Sequence, residues 1–131
     1  MKKFKLSRRS LERLDCVNPL LIAIVTEAIK TSPIDFGIPQ YGGMRTAIEQ
    51  NELFIKKKSQ LDGFRKKSYH QTGNAFDIYA YVDGRASWNK GHLTTIARHI
   101  QEVAKDRYNI SLQWGGDWTK FVDMPHFQIS K

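Results

Sequence analysis

The chain has 131 residues, 40% hydrophobic and 26% charged, a balance that suits one globular domain and excludes a disordered or collagen-like chain. No stretch approaches the roughly 20 apolar residues of a membrane span, and the single cysteine, Cys16, excludes an internal disulfide or a thiolate zinc cage. The formal net charge of +8 is uneven: residues 1–67 hold 14 Lys and Arg against 7 Asp and Glu, whereas residues 68–131 hold 7 against 6.

The basic half suits contact with a polyanion, either nucleic acid or an anionic cell envelope. Met1-Lys2-Lys3-Phe4-Lys5 has the charge of a signal-peptide start. Arg8, Arg9, Glu12, Arg13 and Asp15 then occupy the place of an apolar core, so no export signal is expected. Cys16 itself reads as a small buried or half-buried hydrophobe.

In chain order, Ser7 to Asp15 is a short helix or an arm anchored by Leu6, Leu11 and Leu14. Asn18-Pro19 offers an N-cap followed by proline at the first helical position. Leu21, Ile24, Val25, Ala28 and Ile29 then form one apolar stripe of a helix reaching about Thr31. Asp35 to Arg45 reads as extended, with Gly42-Gly43 permitting a bulge or a close backbone approach. Thr46-Ala47-Ile48-Glu49 is a capping box. It opens a second helix carrying Ile48, Phe54 and Ile55 and puts Arg45 at a rigid strand-to-helix junction.

Ser59 to Lys67 is a loop. Ser68-Tyr69-His70-Gln71-Thr72-Gly73-Asn74-Ala75-Phe76-Asp77 follows and runs into a strand, Ile78 to Val82, which ends at the turn signal Asp83-Gly84. Trp88 to Tyr108 is the clearest helix, with Leu93, Ile96, Ala97, Ile100, Val103 and Ala104 on one face. Ile110 to Trp114 and Phe127 to Ile129 are short strands separated by the Gly115-Gly116 turn. The order implies a small α+β domain with a largely antiparallel sheet and about three helices. No linker divides residues 1–131, so one domain is expected.

The chemistry concentrates in two motifs. His70 and Asp77 flank the turn at Gly73, and Asp123-Met124-Pro125-His126 lies near the far end. His70, Asp77 and His126 supply two imidazoles and one carboxylate, enough for a catalytic zinc site with one position open to water. Asp123 sits where a general base would take the water proton, and Pro125 stiffens its link to His126. Arg45 is the candidate for stabilising an oxyanion or gripping a substrate carboxylate. Taken singly, each has an ordinary structural reading as a core histidine, a capping aspartate, a turn aspartate or a surface arginine. Together, in this order, they point to one site. His92 and His99 lie two turns apart on the third helix, too far to share an ion, and read as helix-rim residues.

S-x-H-x-x-G-x-A-x-D from Ser68 to Asp77, W-G-G-D-W from Trp114 to Trp118, and D-x-P-H-F from Asp123 to Phe127 resemble the zinc peptidases of peptidoglycan. That family comprises D-alanyl-D-alanine carboxypeptidases and L-alanyl-D-glutamate endopeptidases, related in fold to the hedgehog domain. Ser7-x-Arg9-Ser10-Leu11, Asp35-Phe36-Gly37-Ile38 and Arg45-Thr46 extend the resemblance over nearly the whole chain, which is most similar to single-domain phage endolysins.

The resemblance implies Zn2+ held by His70, Asp77 and His126, Asp123 as base, and Arg45 on substrate or intermediate. It also places Ser68 near the substrate and Trp114 in the cleft wall. Aspartate rather than glutamate at position 123 favours the endopeptidase over the carboxypeptidase. The implied substrate is the anionic stem peptide of the bacterial wall. No separate wall-binding domain is expected, nor any partner subunit. The enzyme would stay in the host cytoplasm until a separate pore protein releases it. The competing reading is a basic nucleic-acid-binding module resting on Lys56-Lys57-Lys58 and Arg65-Lys66-Lys67, which no nucleic-acid-binding signature supports.

Overall fold

A computed structural model describes residues 3–129. Met1 and Lys2 of the basic start lie outside them. Among the described residues there are four α-helices, α1 (Arg8–Arg13), α2 (Pro19–Thr31), α3 (Ala47–Ile55) and α4 (Lys90–Tyr108). The strands are β1 (Asp35–Gly37), β2 (Ala75–Asp77), β3 (Tyr79–Val82), β4 (Arg85–Ser87), β5 (Gln113–Trp114) and β6 (His126–Gln128). They form two antiparallel three-stranded sheets, ordered β1-β3-β4 and β2-β6-β5, in place of one largely antiparallel sheet.

The expected strand at Ile78 to Val82 is thus two strands in different sheets. The chain crosses between them at Ile78, which is fully buried and donates its N–H to the Pro125 carbonyl at 3.0 Å. Asp83-Gly84 closes a hairpin onto β4, a strand with no apolar alternation to announce it.

The two helical stripes hold the core together. Leu21, Ile24, Val25, Ala28 and Ile29 of α2 pack with Leu93, Ile96, Ala97, Ile100 and Ala104 of α4, all at most 1% exposed. Truncating one of the larger aliphatic residues here to alanine typically costs about 2–5 kcal/mol. Helix α4 also contacts β3 and β5, so it bridges the two sheets. It begins two residues later than its apolar pattern suggests, because the Asn89 side chain accepts from the N–H groups of Gly91 and His92. Trp88 stays outside, against Tyr79. His92 bonds Ser87, and His99 reaches Thr31 and the Ala28 carbonyl, so both remain rim residues that tie α4 to its neighbours.

Helix α3 presents apolar residues to solvent, and two local expectations need correction. Ile48, Phe54 and Ile55 of α3 are 67%, 43% and 68% exposed; the buried residue of that helix is Gln50. The extended reading of Asp35 to Arg45 holds only through Gly37, after which Pro39 to Gly42 turns, with Tyr41 at φ +61°. Cys16 is exposed rather than buried and sits in the left-handed conformation at φ +70°, in the turn after the first helix.

Candidate active site

Strand register places the two halves of the site opposite each other. In the β2–β6 pair, Asp77 faces His126, Phe76 faces Phe127 and Ala75 faces Gln128. Alternation along a strand sends neighbours to opposite faces. Phe76 and Phe127 therefore stack at 5.0 Å in the core, while Asp77 and His126 emerge together on the other face.

His70 arrives from a different element, a 3₁₀ turn at Tyr69–Thr72. Ser68 caps that turn, its hydroxyl accepting from the His70 N–H, while the Gln71 side chain returns to the Ser68 N–H. Gly73 ends it at φ +76°, in the left-handed region that glycine enters without strain. A side chain there would also meet the Cys16 carbonyl at 2.8 Å. The Gly73 carbonyl in turn accepts from Asn18 N–H, which joins the motif to the start of α2.

His70 Nε2, Asp77 Oδ1 and His126 Nδ1 converge in a nearly equilateral triangle, with separations of 3.1, 3.1 and 3.2 Å. Both ring tautomers follow from the far side of each imidazole. His70 Nδ1 lies 2.8 Å from the Gly43 carbonyl, which can only accept, so Nδ1 carries the proton. His126 Nε2 lies 2.7 Å from Gln128 Oε1, whose amide nitrogen donates onward to Gln113, so Nε2 donates. In the neutral rings two nitrogen lone pairs therefore face the Asp77 oxygen, and a proton shared on this face is what a metal ion would displace. Neighbouring ligand atoms around a tetrahedral ion with bonds of about 2.0 Å lie about 3.3 Å apart. These three residues therefore fit a metal ion, and they form a group able to hold one.

The backbone behind the site explains Gly42-Gly43. The Gly42 carbonyl accepts from Asp77 N–H at 2.7 Å and the Gly43 carbonyl from His70. A side chain on Gly43 would strike the Arg13 carbonyl, so only glycine lets this segment lie so close. Arg45 gives Nε to the Tyr41 carbonyl, Nη1 to Gln50 and Nη2 to Asp77 Oδ2 at 3.1 Å. Burial lowers its affinity for a proton, and the charges of Asp77 and Asp123 oppose that shift. Gln50, fully buried, completes the frame by donating to Ser59 and to the Leu61 carbonyl.

Electrostatics separates the two carboxyls of the cleft. Burial pushes Asp77 up, but the charges and hydrogen bonds of His70 and His126 outweigh it and hold the group well below the usual carboxylate range. Burial raises Asp123, and the charge of Asp77 raises it further. Burial lowers His126, yet its hydrogen bond to Asp77 and that residue's charge leave it above the ordinary histidine value.

Asp123 and Arg45 line one cleft of about 510 Å³ with Asp77 and Trp118. Asp123 is held by its N–H on the Gly115 carbonyl and by its own carbonyl on His126 N–H. Trp114, expected in the cleft wall, is only 3% exposed: its indole N–H bonds the Met124 carbonyl at 2.6 Å and Arg98 covers the ring. The wall indole is Trp118, 5.3 Å from the His126 ring. Ser68, 5% exposed, shapes the His70 turn from behind.

Gln128 and Gln50, which bond His126 and Arg45, lie outside the sequence motifs. The i+2 spacing of Gln128 from His126 on a strand was an available signal; Gln50 had none.

An α+β domain with two imidazoles, a carboxylate ligand and a second carboxylate in an open cleft has the architecture of a metallopeptidase. The model of the phage L-alanyl-D-glutamate peptidase family matches residues 2–129, and the chain belongs to that family. It is 32% identical over 128 residues to the L-alanyl-D-glutamate peptidase of Escherichia phage T5, covering 98% of this chain and 90% of that protein. It is 29% identical over 116 residues to the peptidoglycan L-alanyl-D-glutamate endopeptidase CwlK of Bacillus subtilis, covering 79% and 68%. Among solved structures, the Serratia marcescens L-Ala D-Glu endopeptidase ChiX superposes with a TM-score of 0.85 at 30% identity, over 98% of this chain and 92% of that one.

Proposed function

We propose that this chain is a zinc-dependent peptidoglycan hydrolase that cuts the bond between L-alanine and D-glutamate in stem peptides. The observation that carries this reading is the triangle of ligand atoms on His70, Asp77 and His126, whose Asp77 lines the same cleft as Asp123. When bound, zinc supplies Lewis acidity, lowering the pKa of water toward 7 and polarising a carbonyl.

The chain's own residues do the rest. Asp123 accepts the proton of the attacking water and passes it to the departing glutamate nitrogen, a task its raised pKa suits. Arg45 spends three of its five N–H groups on Tyr41, Gln50 and Asp77, so it fixes the carboxylate ligand and keeps two donors for a substrate oxygen. Ser68 acts through the His70 turn, and Trp118 forms the wall beside His126.

The family match over residues 2–129 supports a single catalytic domain, and action as a monomer on the wall is part of this reading. No helix among the described residues is long and apolar enough to cross a membrane. Passage to the wall through a separate pore protein is part of this reading. The excess of basic residues would favour adsorption to the anionic envelope rather than to a specific nucleic acid.

Digestion of purified muropeptides followed by mass spectrometry of the new termini tests the bond. New N-terminal D-glutamate is expected. Release of terminal D-alanine with L-alanyl-D-glutamate intact would make the enzyme a D,D-carboxypeptidase instead. One equivalent of zinc by elemental analysis, lost in His126→Ala, tests the metal.

A further inference from the structure

The cleft that holds Asp77 and Asp123 is also lined by Lys57 and Lys58 at the end of α3 and by Lys120 on the loop after Trp118. Arg98, Arg107, Lys30 and Arg8 each pair with a carboxylate. The ammonium groups of Lys57, Lys58 and Lys120 have no such partner among the described residues. Asp77 and Asp123, the two carboxylates of the cleft, belong to the ligand set and the base, so neither is free to neutralise the lysines.

The backbone adds a second observation. Helix α3 ends in a Schellman turn, with Lys58 N–H on the Leu53 carbonyl and Lys57 N–H on the Phe54 carbonyl. This turn puts Lys57 at φ +62°, where glycine is the favoured residue. Phe121, which lines the same cleft, is likewise left-handed at φ +53° and 70% exposed. Two strained non-glycine residues on one cleft suggest that their side chains are kept for what enters it.

The substrate chemistry supplies the match, and here the inference rests on the scissile bond proposed above. The glutamate nitrogen is acylated by alanine and one of its carboxyls continues the chain, which leaves the other free. Alanine has no ionisable side chain. The charge near the scissile bond therefore lies on the glutamate side. We propose that Lys57, Lys58 and Lys120 form the subsite for that side and bind its free carboxylate, with Leu53, Phe121 and Val122 around its carbons. The rim thereby sets the direction in which the peptide lies across the metal.

Three N-acetylated stem peptides test this on the zinc-loaded enzyme: one with the glutamate carboxylate free, one amidated there, and one amidated only at the C-terminus. Amidation at glutamate should raise KM about tenfold, with kcat nearly unchanged and sensitivity to salt reduced. C-terminal amidation should change little. Lys57→Gly relieves the backbone, so it should melt no lower than wild type. It should raise KM about two- to fivefold for the free peptide and leave the amidated one unaffected. Replacing Lys58 and Lys120 by alanine as well should erase the preference.

Equal KM for the free and glutamate-amidated peptides in wild type would overturn the proposal, as would an unchanged ratio in the triple variant. A KM that responds only to C-terminal amidation would move the carboxylate to a later residue and overturn the glutamate assignment. Product masses separate the two failures: cleavage at another bond refutes the proposed function itself, whereas correct cleavage without carboxylate preference refutes only the subsite.

Discussion

His70 and His126 each present one ring nitrogen to the proposed metal position because the other is committed to an acceptor behind it, Gly43 O and Gln128 Oε1 respectively. Such outer hydrogen bonds orient a ligand and raise its basicity. Gln128→Leu removes the acceptor for His126 while leaving the ligand in place. A loss of about 10- to 100-fold in zinc affinity is expected, measured by competition with a chelating dye. The same residues predict a pH dependence. Asp77 raises the proton affinity of His126 above the ordinary histidine value, and a proton on Nδ1 excludes the metal. Zinc should therefore be held above that raised pKa and shed as pH falls through it. Equilibrium dialysis from pH 8 to pH 5 would show bound zinc falling toward the acid end.

At the scale of elements, the site hangs on turns and a polar hub rather than on large apolar surfaces. Helix α3 turns its apolar residues outward and buries Gln50, which links Arg45 to the loop at Ser59 and Leu61. Gln50→Ala leaves three polar groups without their partner. A loss of about 2–3 kcal/mol in denaturant unfolding is expected, together with weaker zinc binding as Arg45 loosens from Asp77.

The next segment is organised by Asp62, whose Oδ1 accepts from the N–H groups of Phe64, Arg65 and Lys66. The Lys66 bond, then that of Phe64, lowers its pKa. A depressed carboxyl contributes stability above its unfolded value, near 3.9, and loses that contribution as pH falls through its folded value. The melting-temperature gap between wild type and Asp62→Asn should thus be present at pH 6 and shrink below about pH 4.

For the whole molecule, the proposed ligand set ties together positions 56 residues apart in the chain, from a turn, β2 and β6. A metal that binds only this folded arrangement stabilises it by mass action, about 2.7 kcal/mol at a free concentration 100 times Kd. Chelation should lower Tm and added zinc should restore it, whereas His70→Ala should melt at a temperature indifferent to zinc.

The sequence by itself determined the two core helices, because an apolar stripe at the 3.6-residue period must be buried, and those of α2 and α4 are. It also determined the caps at Asn18 and Thr46 and the turn at Gly73, since local backbone chemistry dictates each. The ligand residues were legible as a motif, and their identity rested on that pattern. Only the tertiary structure decided which strands pair. Short strands such as Ala75–Asp77 carry too few residues to specify a partner, so register and sheet membership depend on contacts far away in the chain. The same holds for Trp114 and Trp118: both are large and apolar in one short motif, and only packing against Arg98 and Met124, or against His126, separates support from wall. Gln50 shows the limit most plainly. A buried glutamine has no periodic signature, because its place depends on partners brought to it by three other segments.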